Sequence, residues 1–243
     1  MGDEVVTGVG INKDLSALYS DYYTAGGQLE VKRAIAAKDS TGHMRIFFPN
    51  GLGRVVDVGA GNGSVMDEIA RANLASEISA LEISASGIER ILDRKLSVLK
   101  DVKQFDGYKM PYDNDSFDTA ICVHVLEHVE HERLFLRELG RIASDVFIEV
   151  PLEGCFRGRI NYKHGHINYY SPVTLRALLE TSGLEIIAAR VVTSSMEYER
   201  HCNGYWGGTA RTLLRQSLLN VAGNRATDLM TYLMAVHCRK AMH

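Results

Sequence analysis

Two short stretches hold most of the residues whose types and spacing suit chemistry. The first, Arg54 to Val65 (RVVDVGAGNGSV), runs from an apolar segment through Asp57 into Gly59, Gly61 and Gly63. Glycine weakens regular structure, so three within five residues mean that the backbone turns sharply or meets a ligand closely. The second, HVLEHVEH, gathers His124, His128 and His131 around Glu127. Imidazole titrates near neutral pH and is the commonest general base for a hydroxyl that must become a nucleophile.

The glycine loop follows an apolar strand and precedes a helix, the place where open α/β sheets bind ligands. A nucleotide-like cofactor is the leading reading, against a tight turn with no ligand. The spacing is GxGxG, and Ser64 stands where the dinucleotide fingerprint needs its third glycine, which counts against pyrophosphate and a nicotinamide-dependent oxidoreductase. Glu82 ends the next apolar strand, nineteen residues past Gly63, where a carboxylate can accept both hydrogen bonds of a ribose diol. Further on, Asp106 can accept the amino protons of adenine, the neighbouring backbone N–H at Gly107 can meet a ring nitrogen, and Tyr108 can cover a face of the base.

For the histidine stretch three readings stay open. One is active-site participation of His124 or His128, and another is ordinary packed or surface histidines, which in a helix would share a face. The third, a metal centre, is disfavoured because His124 belongs to a strand end and no HExxH pattern is present, so no metal is expected. YKHGHINYYS carries His164, His166, Tyr169 and Tyr170 beyond a strand end, making His166 a substrate-facing candidate or a structural hydrogen-bonding residue. Tyr19, Tyr22 and Tyr23 suit either a lid over the cofactor or the packed face of an amphipathic helix. Tyr198, Tyr205 and Trp206, with Gly204, Gly207 and Gly208, suggest a flexible aromatic wall over an acceptor.

The elements that must position these groups follow from periodicity. Apolar strands are expected at 54–58, 78–83, 119–123 and 146–150, with a weaker one near 97–99, and helices at 64–73, 84–94 and 131–143. Short strands alternating with helices require crossovers and a mostly parallel sheet covered on both faces. The expected fold is therefore α/β, a doubly wound, seven-stranded sheet with an antiparallel edge strand. SPVTLRALLETSG reads as a capped helix, LEIIAARVV as a strand, and LMTYLMAVHCR as the last strand. One domain is expected, with a helical cap over 1–45, a cofactor-binding core over 50–193, an acceptor-side insertion over 194–227 and the final strand in 228–243.

The 243 residues carry a net charge of -3 and no basic run, so nucleic acid is not an expected partner. No segment approaches the ~20 apolar residues of a membrane span, and the acidic start MGDEVV is unlike a signal peptide. A cytoplasmic protein is expected, with a small-molecule acceptor, no membrane partner, and a homodimer left open. Cys122, Cys155, Cys202 and Cys238 form no CxxC pair, which fits reduced thiols.

DVGAGNG, the strand-end Glu82, FDGYKMPYDNDSFD and CVHVLEHV, in this order, resemble the class I S-adenosylmethionine-dependent methyltransferases, most closely the small-molecule group with the type 11 or 12 signature. The resemblance covers roughly residues 50–190. It implies that Asp57 and the backbone from Gly59 through Ala60 and Gly61 to Gly63 cradle the methionine portion of S-adenosylmethionine, that Glu82 takes the ribose with Ile83 beside it, and that Asp106 and Gly107 address adenine. It also implies that Val123 and His124 approach the reaction centre. HINYYSPVTLRALLETSGLEII resembles the segment many of these proteins carry after the fifth strand, and EHVEHER resembles a stretch of cyclopropane-fatty-acid synthases whose glutamate faces the reaction centre, which adds Glu127 to the candidates. The implied activity is methyl transfer to oxygen or nitrogen of a small metabolite, a sugar or secondary-metabolite intermediate being considered. The alternative is a non-catalytic module that binds the cofactor as a sensor or partner protein.

Overall fold

The computed structural model describes residues 27–153 and 165–241. Helix α1 (Gln28–Phe47) precedes β1 (Gly53–Val58), α2 (Ser64–Arg71), β2 (Ala75–Glu82), α3 (Ala85–Asp93), β3 (Leu99–Gln104) and β4 (Phe117–Val123). A 3₁₀ turn (Leu126–His128) then leads to α4 (Glu132–Ile142), β5 (Ala143–Leu152), α5 (Pro172–Thr181), β6 (Leu184–Val192), α6 (Met196–Asn203), α7 (Tyr205–Ala222), a second 3₁₀ segment (Gly223–Asp228) and β7 (Tyr232–Lys240).

The seven strands form one sheet in the order β3-β2-β1-β4-β5-β7-β6. The chain works outward from β1 to one edge, returns, and builds β4 on the other flank, so β1 pairs in parallel with both β2 and β4. Loops leaving those two neighbouring strands diverge to opposite faces, which opens a crevice at their carboxyl ends. The antiparallel strand is β7; it lies one place in from the edge, hydrogen-bonded to β5 and β6, with β6 outermost.

Burial explains the apolar runs. Val55, Val56 and Val58 in β1 and Ala120, Ile121 and Cys122 in β4 are fully buried because helices cover both faces of the central strands. Each such Val or Ile contributes about 1.5–3 kcal/mol by leaving water. The α5 start is a reciprocal capping box between Ser171 and Thr174 with Pro172 in the first turn, as the Ser-Pro signature predicts. The weak strand near 97–99 lies at Leu99–Gln104, a polar edge strand whose alternation the apolar-run criterion misses. No helix among the described residues is long and apolar enough to cross a membrane.

The segment 194–227 differs from its expected flexible wall. It folds as α6 and α7, and α6 packs against α1 through Lys38–Glu197 (3.0 Å) and the Ser195 N–H donating to Asp39 (2.7 Å). Gly208 lies within α7, where a Cβ would stand 2.3 Å from the Arg200 backbone nitrogen, so this glycine serves close helix packing. Trp206 is 81% exposed.

Candidate active site

The loop after β1 is built from backbone. Gly59, Gly61 and Gly63 have φ of 80°, 58° and 74°, the left-handed region that side chains with a Cβ rarely adopt. A Cβ on Gly59 would also stand 2.5 Å from Val125. The loop is pinned from below: Gly59 and Ala60 donate N–H bonds to the Leu81 carbonyl at 2.8 and 3.1 Å. From the side, Arg94 donates to the Asn62 carbonyl (2.6 Å), to Asp67 (3.1 Å) and to the Ser64 hydroxyl (3.1 Å).

Glu82 holds the loop from β2. One carboxylate oxygen accepts the Gly61 N–H at 2.7 Å and the other the Ser84 N–H at 2.9 Å. Burial raises its pKa, and those two donors oppose the rise. Beside it, Asp57 is 2% exposed, and its Oδ2 meets no hydrogen-bond donor among the described residues. Burial, with the nearby Glu82 charge, pushes Asp57 up to about 8. A buried polar atom without a partner costs stability and calls for an explanation, and a ligand that supplies the missing bond is one.

A cleft of about 180 Å³ opens here, lined by α1 residues Arg33, Ala36, Ala37 and Ser40, by Asp57 of β1, by Gly59, Ala60, Gly61 and Asn62 of the loop, and by Val123 and His124 at the end of β4. Of the residues predicted from sequence, Asp57, Gly59, Ala60, Gly61, Val123 and His124 therefore line one cleft. Gly63 caps α2 behind it. Ile83 lies within 4.0 Å of the position a Gly107 Cβ would take, and Asp106 accepts the N–H groups of Tyr108 and Lys109 at 2.9 Å, which hold its carboxyl below the ordinary range. Tyr22, Tyr19, Tyr23 and His164 lie outside the described residues.

The other wall is built from side chains. His124 follows β4 with φ 55°, an uncommon conformation for a non-glycine residue and one typical of functional sites. Its N–H extends the β4–β5 pairing by bonding the Glu149 carbonyl at 2.9 Å, while the ring lies between Glu127 (3.5 Å) and Glu149 (3.6 Å). Desolvation lowers the pKa of His124, but the carboxylates Glu127, Glu149 and Glu153 outweigh it and leave the value raised. Glu149 is fully buried and also takes hydrogen bonds from the Ser40 hydroxyl (2.6 Å) and with His43 Nδ1 (2.6 Å). Burial pushes Glu149 up, and His43 and His124 more than compensate, so its carboxyl titrates below the ordinary range.

His124 and His128 do not share a helix face, because only Leu126–His128 forms a 3₁₀ turn. His131 stands apart, stacked obliquely on Tyr108 at 5.6 Å. The residue that joins His128 is His166, with ring centroids 4.8 Å apart and planes nearly perpendicular. Sequence reasoning missed Glu149, Ser40, His43 and Glu153; the legible signal for Glu149 was a lone acid inside the apolar strand VFIEVPL.

Residues 30–189, more than half of the chain, match the family model described as a methyltransferase domain. The chain belongs to the methyltransferase domain family. No curated protein is a significant match. Among solved structures, the protein in complex with the Trm112 methyltransferase activator of Haloferax volcanii aligns with a TM-score of 0.68 at 12% identity, covering 92% of this chain and 98% of its own. Geranyl diphosphate C-methyltransferase from Streptomyces coelicolor A3(2), solved with Mg2+, geranyl diphosphate and S-adenosyl-L-homocysteine, gives 0.58 at 13% identity over 83% and 80%. The [4+2]-cyclase SpnF gives 0.62 at 17% identity over 85% and 81%. The domain thus has the Rossmann-like fold of class I methyltransferases.

Proposed function

We propose that the chain is an S-adenosylmethionine-dependent methyltransferase acting on oxygen or nitrogen of a small metabolite. The observation that carries this reading is the buried Asp57 carboxylate, whose Oδ2 meets no donor among the described residues, at a cleft lined by left-handed glycines. A ligand with a cationic amino group and no phosphate fits that chemistry: Asp57 accepts its N–H, and the glycine loop allows close backbone approach. Glu82 and Asp106 are the candidates for ribose and adenine. Both Glu82 oxygens are already engaged, yet each keeps a second lone pair, so it can accept ribose hydroxyls without releasing the loop. The cofactor, when bound, supplies an electrophilic methyl group.

The chain's own residues align the acceptor and manage its proton, which is where most of the barrier reduction for an in-line displacement comes from. His124 is the candidate base, being the member of the set His124, Glu127, His128 and His166 that lines the cleft. Glu127 and Glu149 orient its ring. The geranyl diphosphate enzyme, whose name describes methylation of a small molecule, supports a small acceptor here. Calorimetry with S-adenosylmethionine and S-adenosylhomocysteine tests the pocket, and conversion of one to the other with an acceptor panel tests turnover. Binding without turnover across the panel would favour the sensor module; absence of binding would reject the reading.

A further inference from the structure

Next to His124, a second cluster gathers around Glu127. One donor atom each from Glu127, His128 and His166 lies within 4.8 Å of the other two. We propose that these three side chains form a binding site for a divalent first-row transition-metal ion.

Both rings are oriented by outer partners in the manner of metal-ligating histidines. His128 Nδ1 lies 3.0 Å from the Gly165 carbonyl, and His166 Nδ1 lies 2.9 Å from Glu153. An Nδ1–H given to each acceptor leaves the lone pair of each ring on Nε2, the atom a metal takes. The carboxylate arm has an independent signature. Glu127 is 1% exposed, its Oε1 faces His124, and its Oε2 meets no hydrogen-bond donor among the described residues. A cation answers that buried negative oxygen as a neutral packing role does not.

The frame is rigid although its parts are far apart in sequence. Ile167 and Asn168 donate N–H bonds to the Glu127 carbonyl at 2.9 and 3.1 Å. The Asn168 amide reaches the carbonyls of Leu126 (3.2 Å) and Val129 (2.6 Å), and the Tyr170 hydroxyl reaches Leu126 (3.0 Å). These bonds clamp the loop carrying His166 onto the turn carrying Glu127 and His128. Two imidazoles and a carboxylate form a borderline donor set that suits zinc, iron, cobalt or manganese, with coordination positions left open. Metal–ligand bonds of about 2.0–2.2 Å require the donor atoms to close by about 1.5 Å or less, within the reach of small side-chain rotations. The ion site stands whether or not the chain transfers methyl groups.

The test uses the full chain, stripped with chelator and titrated with Zn2+ by calorimetry and with Co2+ by visible absorption. One ion per chain with micromolar or tighter affinity is expected. Glu127→Gln and His166→Gln should each weaken it at least tenfold, Glu153→Gln should weaken it less, and His131→Gln, outside the cluster, should leave it unchanged. Circular dichroism establishes that each variant is folded. Absence of stoichiometric Zn2+ and Co2+ binding to the parent chain overturns the proposal without any variant. So does equal affinity in folded Glu127→Gln and His166→Gln, since the ion would then sit on unrelated surface histidines.

Discussion

The segment after β1 presents backbone to the cleft, while the segment after β4 presents side chains. The first is local: Gly59 to Gly63 lie within five residues, and their supports come from β2, α2 and α3. The second rests on His124, whose ring is held by Glu127 of the 3₁₀ turn and by Glu149 of β5, itself bonded to His43 of α1. A pocket made of left-handed backbone fits one ligand shape and resists change, because any Cβ there meets strain or a neighbour. A pocket made of histidines and carboxylates can be retuned by single substitutions. The two walls therefore suit a shared cofactor on one side and a particular acceptor on the other.

This division is most exposed to failure at His124. His124→Ala should lower turnover by roughly 10²–10⁴-fold if the acceptor is a hydroxyl, while cofactor affinity stays within about twofold. Single-turnover kinetics beside calorimetry measures both, and a parallel loss of affinity would erase the distinction between the walls.

The opposite pattern is expected on the backbone side. Gly61→Val should cost about 100-fold or more in cofactor affinity, since a β-branched residue at φ 58° adds about 1–2 kcal/mol of backbone strain and fills the cleft. Glu82→Ala should cost roughly 1.5–3 kcal/mol, because charge-assisted bonds are lost and the Gly61 and Ser84 N–H groups lose their acceptor. Calorimetry on variants with parental circular dichroism decides both, and parental affinity in Gly61→Val would remove the loop from the site.

Asp57 sharpens the comparison through pH. Its folded pKa of about 8 lies above the ordinary 3.8, so the ligand-free fold binds the proton more tightly than the unfolded chain does. Its contribution to stability is present at low pH and is lost as pH rises from about 4 to about 8. A cationic ligand needs the deprotonated carboxylate, so affinity should climb with pH, by up to about tenfold per unit, and level off near 8. Asp57→Asn should flatten that profile and raise the melting temperature of the ligand-free chain at pH 8.5 relative to the parent. A parental profile in the variant would show that Asp57 does not meet the cofactor.

The smallest effect is expected at the exposed aromatics of α7. Neither Tyr205 nor Trp206 lines the cleft, so the double alanine variant should change cofactor affinity and melting temperature little, with acceptor KM within about threefold. A tenfold rise in acceptor KM with unchanged cofactor affinity would return 194–227 to the acceptor wall.

What the sequence determined by itself was whatever depends on neighbours along the chain. Hydrophobic runs and their spacing specified the central strands, the helices between them and the crossover topology, because burial on both faces leaves apolar segments few alternatives. The GxGxG spacing likewise specified the left-handed loop, since glycine is what φ near +60° to +80° demands. The tertiary structure alone decided the side-chain clusters around His124 and Glu127. His166 comes to His128, and His43 and Ser40 to Glu149, across separations of 38, 106 and 109 residues, a distance at which sequence period carries no information. It also decided which polar atoms went unsatisfied: that Asp57 and Glu127 each keep a buried oxygen without a donor among the described residues follows from how helices and loops close over them, and no local pattern of residues encodes that closure.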